Sequence, residues 1–188
     1  MNARLALRFA LVTWLIWFTP PFAGGTSMVP LSIGELAAES DLILHGRVAS
    51  AATSRHRANR MVTRVGVDVL EMWKGTVSEA RVQVTLAGGV LGTRQVIVDG
   101  QPDYRPGEEV VLFLKRNPRG EAVTVGLAQG KFTVVDDPNT GLKHVHNPFH
   151  GRRQPAPERA QGVVAGPDVL ERGLSLAELR QKTLERPR

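Results

Sequence analysis

Apolar and polar residues alternate through most of the middle of the chain, and this two-residue period predicts β-strands. In SDLILHGRVAS, residues 40–50, the leucines and the valine fall on one face, and His45 and Arg47 fall on the other. The same period is found in six further segments, at 61–73, 81–86, 93–100, 108–116, 121–126 and 130–137. We therefore expect about seven strands in this part of the chain.

Turn-forming residues separate these segments at short intervals, as at Lys74-Gly75, Asp99-Gly100 and Pro106-Gly107. Short links join antiparallel strands, so the pattern indicates an all-β fold, either a small closed antiparallel barrel or a β-sandwich. The barrel is favoured because the segment 61–73 is long enough to bend across two sheets.

A short helix is predicted on each side of the strands. The segments PLSIGELAAES, 30–40, and GLSLAELRQKT, 173–183, each contain a serine followed three residues later by a glutamate. In this capping box each side chain satisfies a free backbone N–H group of the other residue. One cap is worth on the order of 1 kcal/mol, so helices this short should pack on the rest of the fold.

The first 25 residues have the pattern of a signal peptide. Arg4 and Arg8 give a positive start, and an apolar run from Phe9 to Phe18 follows. Small residues suit cleavage after Ala23 or Gly25. The apolar run is much shorter than the roughly 20 residues that span a bilayer, so we expect export with no transmembrane segment after cleavage.

The predicted organisation has four parts. A signal peptide occupies 1–25, a β-barrel domain 26–142, a flexible linker containing His, Arg and Pro 143–166, and a C-terminal capped helix 167–188. The linker is predicted because RRQPAPERAQG, 152–162, is rich in Pro and Arg and has no periodicity.

The amino-acid composition limits the cellular compartment that the protein can occupy and the kinds of site that it can contain. The chain has no cysteine, which excludes disulfides, Cys-ligated zinc sites and thiol catalysis. An exported domain without disulfides fits a bacterial-type periplasm or exterior. The net charge is +6, but residues 26–142 contain 13 basic and 13 acidic residues. The predicted barrel therefore has no bulk positive field, which argues against nucleic acid as its ligand.

Two motifs resemble known families. Residues 40–48, followed by a long strand and Met72-Trp73-Lys74-Gly75, resemble the opening of netrin-like modules, the group that includes the tissue inhibitors of metalloproteinases. Residues 100–114, GQPDYRPGEEVVLFL, followed by Gln129-Gly130-Lys131-Phe132, resemble exported bacterial β-domain proteins of uncharacterised function.

The resemblance implies an OB-type, netrin-like barrel flanked by short helices, and it implies fold rather than activity. The metalloproteinase inhibitors act through an N-terminal cysteine that chelates the protease zinc, and this chain has no counterpart of that residue. A role as partner or inhibitor of an exported metalloprotease is therefore kept only as an alternative function.

A histidine and an arginine interrupt the first strand. His45 and Arg47 would be a catalytic pair, a metal ligand beside a charge, or residues on the solvent side of a half-buried strand. No acid or nucleophile stands at a diagnostic spacing from them, so we favour the solvent-facing interpretation.

The segment KHVHNPFH, 143–150, is the candidate metal site. In an extended chain His144 and His146 point the same way with Cα atoms about 7 Å apart, and His150 could fold back after Pro148. Three imidazoles can hold zinc or copper. Metal binding through this His-x-His-x3-His segment is an alternative function, and no other cofactor is expected.

The sequence lacks the motifs of common hydrolases. There is no G-x-S-x-G elbow and no H-E-x-x-H zinc motif. The carboxylate pairs Glu108-Glu109 and Asp136-Asp137 are adjacent, so on strands the two members point to opposite faces. We predict no catalytic residue and no enzymatic activity.

A binding surface is predicted at one end of the barrel, on the loops 52–60, 87–93 and 100–107. The loop SRHRANR at 54–60 is basic. Trp73 ends a strand, where it would be either an exposed anchor for a partner or, as we favour, part of the core at the barrel mouth. The candidate binding residues are Arg55, His56, Arg57, Arg60, Trp73 and Tyr104. The sequence thus predicts a non-enzymatic binding or accessory module, periplasmic or extracellular, whose partner is an envelope or exported protein.

Overall fold

The structure is a computed structural model that describes residues 29–56, 59–138, 140–150 and 174–185. The predicted signal peptide, the linker from residue 151 onward and the candidate binding residue Arg57 lie outside the described residues. Within the described ranges, neither α-helix has the length and apolar character needed to cross a membrane.

The described chain is mostly β-structure. Helix α1 covers Ile33–Glu39 and α2 covers Leu176–Leu184, and a 3₁₀ helix covers Leu127–Gly130. The strands are β1 Leu42–Arg55, β2 Met61–Lys74, β3 Arg81–Ala87, β4 Gly89–Leu91, β5 Arg94–Val96, β6 Glu109–Arg116, β7 Ala122–Thr124, β8 Lys131–Asp136 and β9 Lys143–His146.

Five strands close into a barrel in the order β1-β2-β3-β7-β6, and β6 pairs back with β1. The neighbouring pairs are antiparallel except β3 with β7, which is parallel. This is the five-stranded Greek-key order of OB-type barrels. The prediction of a closed barrel is therefore confirmed, and the sandwich alternative is wrong.

Strands β1 and β2 are long enough to bend around the barrel. Each has 14 residues, and their pairing has three register shifts, between Ile43 and Leu44, His45 and Gly46, and Val48 and Ser50. Such irregularities increase local twist and let one strand serve two parts of a sheet. Gly46 lies at one of them, where an added Cβ would stand 2.6 Å from the carbonyl oxygen of Asp68. Only glycine allows β2 to approach this closely.

The fold contains two hydrophobic clusters. The barrel interior is filled by alternate residues of the barrel strands, including Leu42, Leu44, Val65, Val67, Val84, Leu112 and Leu114. The second cluster lies outside the barrel, between the β1–β6 surface and a layer made by β8, β9 and both α-helices. Its fully buried members include Leu36, Ile43, Val111, Phe113, Phe132 and Leu179. Residues 42–44 of β1 and 110–114 of β6 are therefore buried on both faces.

Both capping boxes are confirmed. Ser32 and Glu35 exchange hydrogen bonds at the start of α1, and Ser175 and Glu178 do so at the start of α2. The two helices contact each other over the outer cluster. Docking on this cluster explains how helices of seven and nine residues persist.

The sheet extends beyond the predicted domain boundary at residue 142. Residues 143–146, which the sequence assigned to the linker, form β9 and pair with β8. Val145 is buried in the outer cluster, and its backbone N–H donates to the carbonyl oxygen of Leu174. The segment is ordered because it carries one apolar side chain into this cluster and continues the sheet edge.

Candidate binding groove

The joint between β3 and β7 is the weakest closure of the barrel. The two strands share a single ladder pair, Val84 with Ala122. On either side of this pair the outer surface opens into a cavity, one of about 450 Å³ and one of about 480 Å³. We call them the mouth cavity and the side cavity.

The mouth cavity lies between the loop that joins β1 to β2 and the turn that joins β6 to β7. The loop contributes His56 and Arg60, and the turn contributes Arg119 and Glu121. Apolar side chains complete the wall, namely Val62, Leu86, Val123 and Leu127. In OB-type barrels the two corresponding loops flank the usual ligand face.

Asn117 fixes the shape of the turn between β6 and β7. Its Oδ1 accepts hydrogen bonds from the backbone N–H of Arg119, at 2.9 Å, and of Glu121, at 3.0 Å. Its Nδ2 donates to the Glu121 carboxylate at 2.8 Å. The turn therefore holds Arg119 at the rim of the mouth cavity on an ordered backbone.

The opposite rim is also organised by hydrogen bonds. Arg64 donates to Ser54 Oγ at 3.2 Å, and its Nη2 lies 3.4 Å from Nδ1 of His56. Asn59 has a left-handed backbone with φ of 58°, and Leu127 on the cavity wall has the same φ. Non-glycine residues in this conformation carry local strain that is common at ligand sites.

The surroundings of Glu121 favour the charged form of its carboxylate, so this residue is poorly suited to donate a proton. The hydrogen bond from Asn117 lowers the pKa of Glu121, and the positive charges of Arg119, His56 and Arg64 lower it further. A general acid or base needs a pKa near the working pH. Glu121 is therefore suited to hold charge, and it offsets part of the positive rim.

The side cavity lies on the other side of the Val84–Ala122 pair. Its charged lining residues are Arg64, Glu79, Arg81, Arg116 and Glu121, and its neutral polar lining includes Thr76, Ser78 and Gln83. Thr85 and Glu121 line both cavities, so the two meet at the seam of the barrel. We call the pair of cavities the seam groove.

The predicted binding residues separate into two groups. His56 and Arg60 line the mouth cavity, and Arg55 is exposed in the same loop, where it donates to Asn59 Oδ1 at 3.1 Å. Trp73 and Tyr104 were candidates for the binding surface, but their exposed fractions are only 8% and 7%, and for Trp73 the core alternative holds.

The burial of Trp73 and Tyr104 has a clear packing reason. Trp73 belongs to the outer cluster, and its indole N–H donates to Glu71 at 2.9 Å. Tyr104 closes the barrel interior with its hydroxyl 3.1 Å from Thr124 Oγ1, and the Lys131 ammonium lies 5.0 Å from its ring centroid. Burial raises the pKa of the Tyr104 hydroxyl.

The solvent-facing interpretation is wrong for His45. Its side chain is only 12% exposed, whereas Arg47 is 58% exposed. His45 Nε2 lies 2.7 Å from Glu109 Oε1, and Arg47 Nη2 lies 3.3 Å from Glu109 Oε2. Lys143 of β9 donates to the same carboxylate. The acidic partner, which sequence spacing did not indicate, is therefore Glu109. It lies on β6, directly opposite Arg47 in the β1–β6 pairing.

The carboxylate of Glu109 contacts three side chains from two strands, namely His45 and Arg47 of β1 and Lys143 of β9. Burial acts to raise the pKa of Glu109, but the hydrogen bonds from Lys143, His45 and Arg47 outweigh it, and the pKa is lowered. In the described part of the chain, Glu109 and its three partners lie at the edge of the outer cluster, and they line neither the mouth cavity nor the side cavity. We interpret it as a structural link between β1, β6 and β9.

The three candidate metal-binding histidines are not brought together. His144 and His146 lie on β9, opposite Val135 and Thr133 of β8. His150 stacks on Phe132 with ring centroids 5.2 Å apart, and burial lowers the pKa of its imidazole. Among the described residues no group of three or more histidine, aspartate or glutamate side chains could hold a metal ion. Metal binding has no assembled site in this part of the protein.

Comparison with known proteins adds no assignment, since no protein-family profile and no curated protein matches the chain. The class that the structure defines is a closed five-stranded β-barrel with a short helix before it and another after it. The resemblance to netrin-like modules stays a prediction.

Of the candidate binding residues predicted from the sequence, His56 and Arg60 line the described seam groove. Arg64, Arg81, Arg116 and Arg119 were not among the candidates, because their proximity depends on strand order. One signal was present in the sequence. The turn KRNPRGE, 115–121, is basic and lies between two apolar strands, as the loop SRHRANR does.

Proposed function

We propose that this protein is an exported, non-enzymatic binding module of the cell envelope or exterior, and that the mouth cavity holds part of its ligand. The observation that carries the proposal is an open joint in an otherwise closed barrel, with cationic side chains on its rim and apolar side chains on its wall. Concave sites with apolar walls and a few placed polar groups are the usual form of ligand pockets.

The charge of the rim indicates an anionic ligand. Arg60, Lys115 and Arg119 line the mouth cavity, and Glu121 is the acidic residue among its described lining. Arg119 is exposed and stands on a turn fixed by Asn117, so its guanidinium can turn toward a ligand while its backbone stays in place. Arginine is well suited to this role because its planar donors match a carboxylate or phosphate.

The state of the acidic residue supports binding rather than catalysis. Glu121 is bound by Asn117, and its pKa is lowered, which keeps it ionised at neutral pH. No second carboxylate lines the mouth cavity within the described residues. Acid and base chemistry would need a pair of groups with opposed protonation states.

The proposal is tested by NMR titration of the full chain with D-glucuronate, and with D-glucose as the neutral comparison. Binding at the mouth cavity predicts that glucuronate shifts the backbone amides near Arg60, Thr85, Arg119 and Leu127, while glucose shifts them less. The double substitution Arg60→Gln with Arg119→Gln should remove the response.

The matched control is Arg94→Gln, which removes an exposed arginine on β5, away from the cavity. It should leave the titration unchanged. Equal shifts in the wild type and the double variant, or shifts confined to residues outside the mouth cavity, would overturn the proposed site.

A further inference from the structure

We propose that the seam groove binds a linear polysaccharide bearing carboxylate groups, with one acidic sugar in the mouth cavity and another in the side cavity. This inference rests on the proposed function and names its ligand class. It goes further in using both cavities, so it requires a polymer rather than a single acidic group.

The two cavities form one continuous groove. The two cavities share Thr85 and Glu121, and they lie on opposite sides of the single Val84–Ala122 pair. An extended chain laid across this pair contacts both cavities without entering the barrel. A compact ligand would fill only one of them, since each already has about the volume expected for a small-molecule site.

Basic side chains line both cavities of the groove. The mouth cavity is lined by Arg60, Lys115 and Arg119, and the side cavity by Arg64, Arg81 and Arg116. The acidic lining of the described groove consists of Glu79 and Glu121. Part of this charge is offset, because Arg81 is paired with Asp68 at 2.7 Å and Arg119 lies 3.9 Å from Glu121. Basic residues still outnumber acidic ones in the described lining of each cavity, although residues 26–142 are neutral in sum. A ligand with negative charge repeated along its length complements this arrangement.

The neutral polar lining also suits a sugar. Thr76, Ser78 and Gln83 in the side cavity and Gln101 in the mouth cavity offer hydroxyl and amide groups. Such groups donate and accept hydrogen bonds, as sugar hydroxyls require. The guanidinium groups supply paired donors for the carboxylates.

The same lining disfavours nucleic acid. Sequence-tolerant binding of single strands depends on aromatic side chains that stack on bases. Within the described residues, no Phe, Tyr or Trp lines either cavity of the seam groove. Trp73 and Tyr104 are buried in the two hydrophobic clusters instead.

The experiment is calorimetric titration of the full chain with monomeric galacturonate and with octagalacturonate. The octamer should bind at least about tenfold more tightly than the monomer, because a single sugar can occupy only one of the two cavities. Its affinity should fall as salt is raised, since several charges are neutralised together.

Two double variants with equal loss of charge separate the groove from general electrostatics. Arg81→Gln with Arg116→Gln changes the side cavity, and it should reduce octamer affinity to about that of the monomer while leaving monomer binding unaffected. Arg94→Gln with Arg105→Gln removes two exposed arginines outside the groove, and it should leave the octamer affinity unchanged.

Each outcome has a defined meaning. Equal affinity for monomer and octamer, or equal loss in the two double variants, would overturn the inference. Octathymidylate binding as tightly as octagalacturonate would also overturn it, because the site would then recognise negative charge whether or not sugar carboxylates carry it. If the monomer binds and the mouth variant Arg60→Gln with Arg119→Gln abolishes that binding while length has no effect, the proposed function stands and the polymer inference fails. The length comparison uses the wild type, so it holds even if a variant does not fold.

Discussion

The ion cluster around Glu109 gives a prediction whose size can be worked from the structure. Glu109→Gln keeps the shape of the side chain and removes its charge. The carboxylate is 10% exposed and accepts hydrogen bonds from His45, Lys143 and Arg47. A hydrogen bond to a buried charged group is worth about 1.5 to 3 kcal/mol, whereas a bond to an exposed cation is worth less than about 1 kcal/mol.

The three hydrogen-bond partners of Glu109 contribute unequally to the free energy of unfolding. His45 is 12% exposed and loses most of its solvation, so its bond to Glu109 should contribute about 2 kcal/mol. Lys143 and Arg47 are 39% and 58% exposed and can be hydrated when the charge is removed. The glutamine amide oxygen can still accept one hydrogen bond, which offsets part of the loss. We expect the free energy of unfolding to fall by about 2 kcal/mol and Tm by about 8 °C.

The pH dependence provides a second, independent readout. The pKa of Glu109 is lower in the folded protein than its ordinary value, so the charged form stabilises the fold. This stabilisation is complete above about pH 4.3, the ordinary value for glutamate, and is lost as the pH falls through the folded pKa. The stability difference between wild type and Glu109→Gln should therefore be full at neutral pH and shrink in acid.

Urea denaturation followed by circular dichroism, at neutral pH and at about pH 3, measures both quantities. Asp136→Asn is the matched control, because this carboxylate is 77% exposed and lies 3.9 Å from the same Lys143. It should change stability by less than about 0.5 kcal/mol. The reasoning is refuted if the two variants are equally stable at neutral pH, or if the gap for Glu109→Gln is unchanged in acid.

Three further predictions address packing and titration. Leu179→Ala empties a fully buried position under α2, so it should cost about 2 to 5 kcal/mol and expose the C-terminal helix to limited proteolysis. Gly46→Ala places a methyl group against the Asp68 carbonyl oxygen and should lower stability by about 1 to 3 kcal/mol in urea denaturation, whereas Gly34→Ala in α1, where the nearest atom to an added Cβ is 4.0 Å away, should not lower it. Burial lowers the pKa of His150, so folding resists its protonation and wild-type stability falls as the pH drops below about 6.5. His150→Phe should remove that part of the pH dependence between about pH 7.5 and 5.5, and an unchanged slope would contradict the assignment.

The barrel could be predicted from the sequence because its determinants are local. Alternating apolar residues and frequent turn signals define most of the strands, and the capping boxes at Ser32 and Ser175 define both helix starts. The short strand β9 was assigned to a linker, since Lys143 to His146 contains one apolar residue. Its pairing with β8 is decided by tertiary packing, which local pattern does not report.

The outer hydrophobic cluster had a sequence signal that the two-residue period hides. Strand β6 contains VVLFL at 110–114, a continuous apolar run, and such runs are typical of strands buried on both faces. That run indicates that Val111 and Phe113 need a cover, and β1 lies beside it with His45 on the covered side. The seam groove had no comparable signal, because Arg60 and Arg119 meet only through the strand order.

The position of α2 has a consequence for biogenesis. Leu179 completes the outer cluster together with Leu36 of α1, although the two residues lie near opposite ends of the described chain. During synthesis, the barrel strands leave the ribosome well before residues 176–184 do. Phe132, Val145 and Leu36 can cover the β1–β6 surface earlier, but the outer cluster stays open at the position of Leu179 until α2 has docked. Until then the chain exposes apolar surface to which chaperones or other chains can bind.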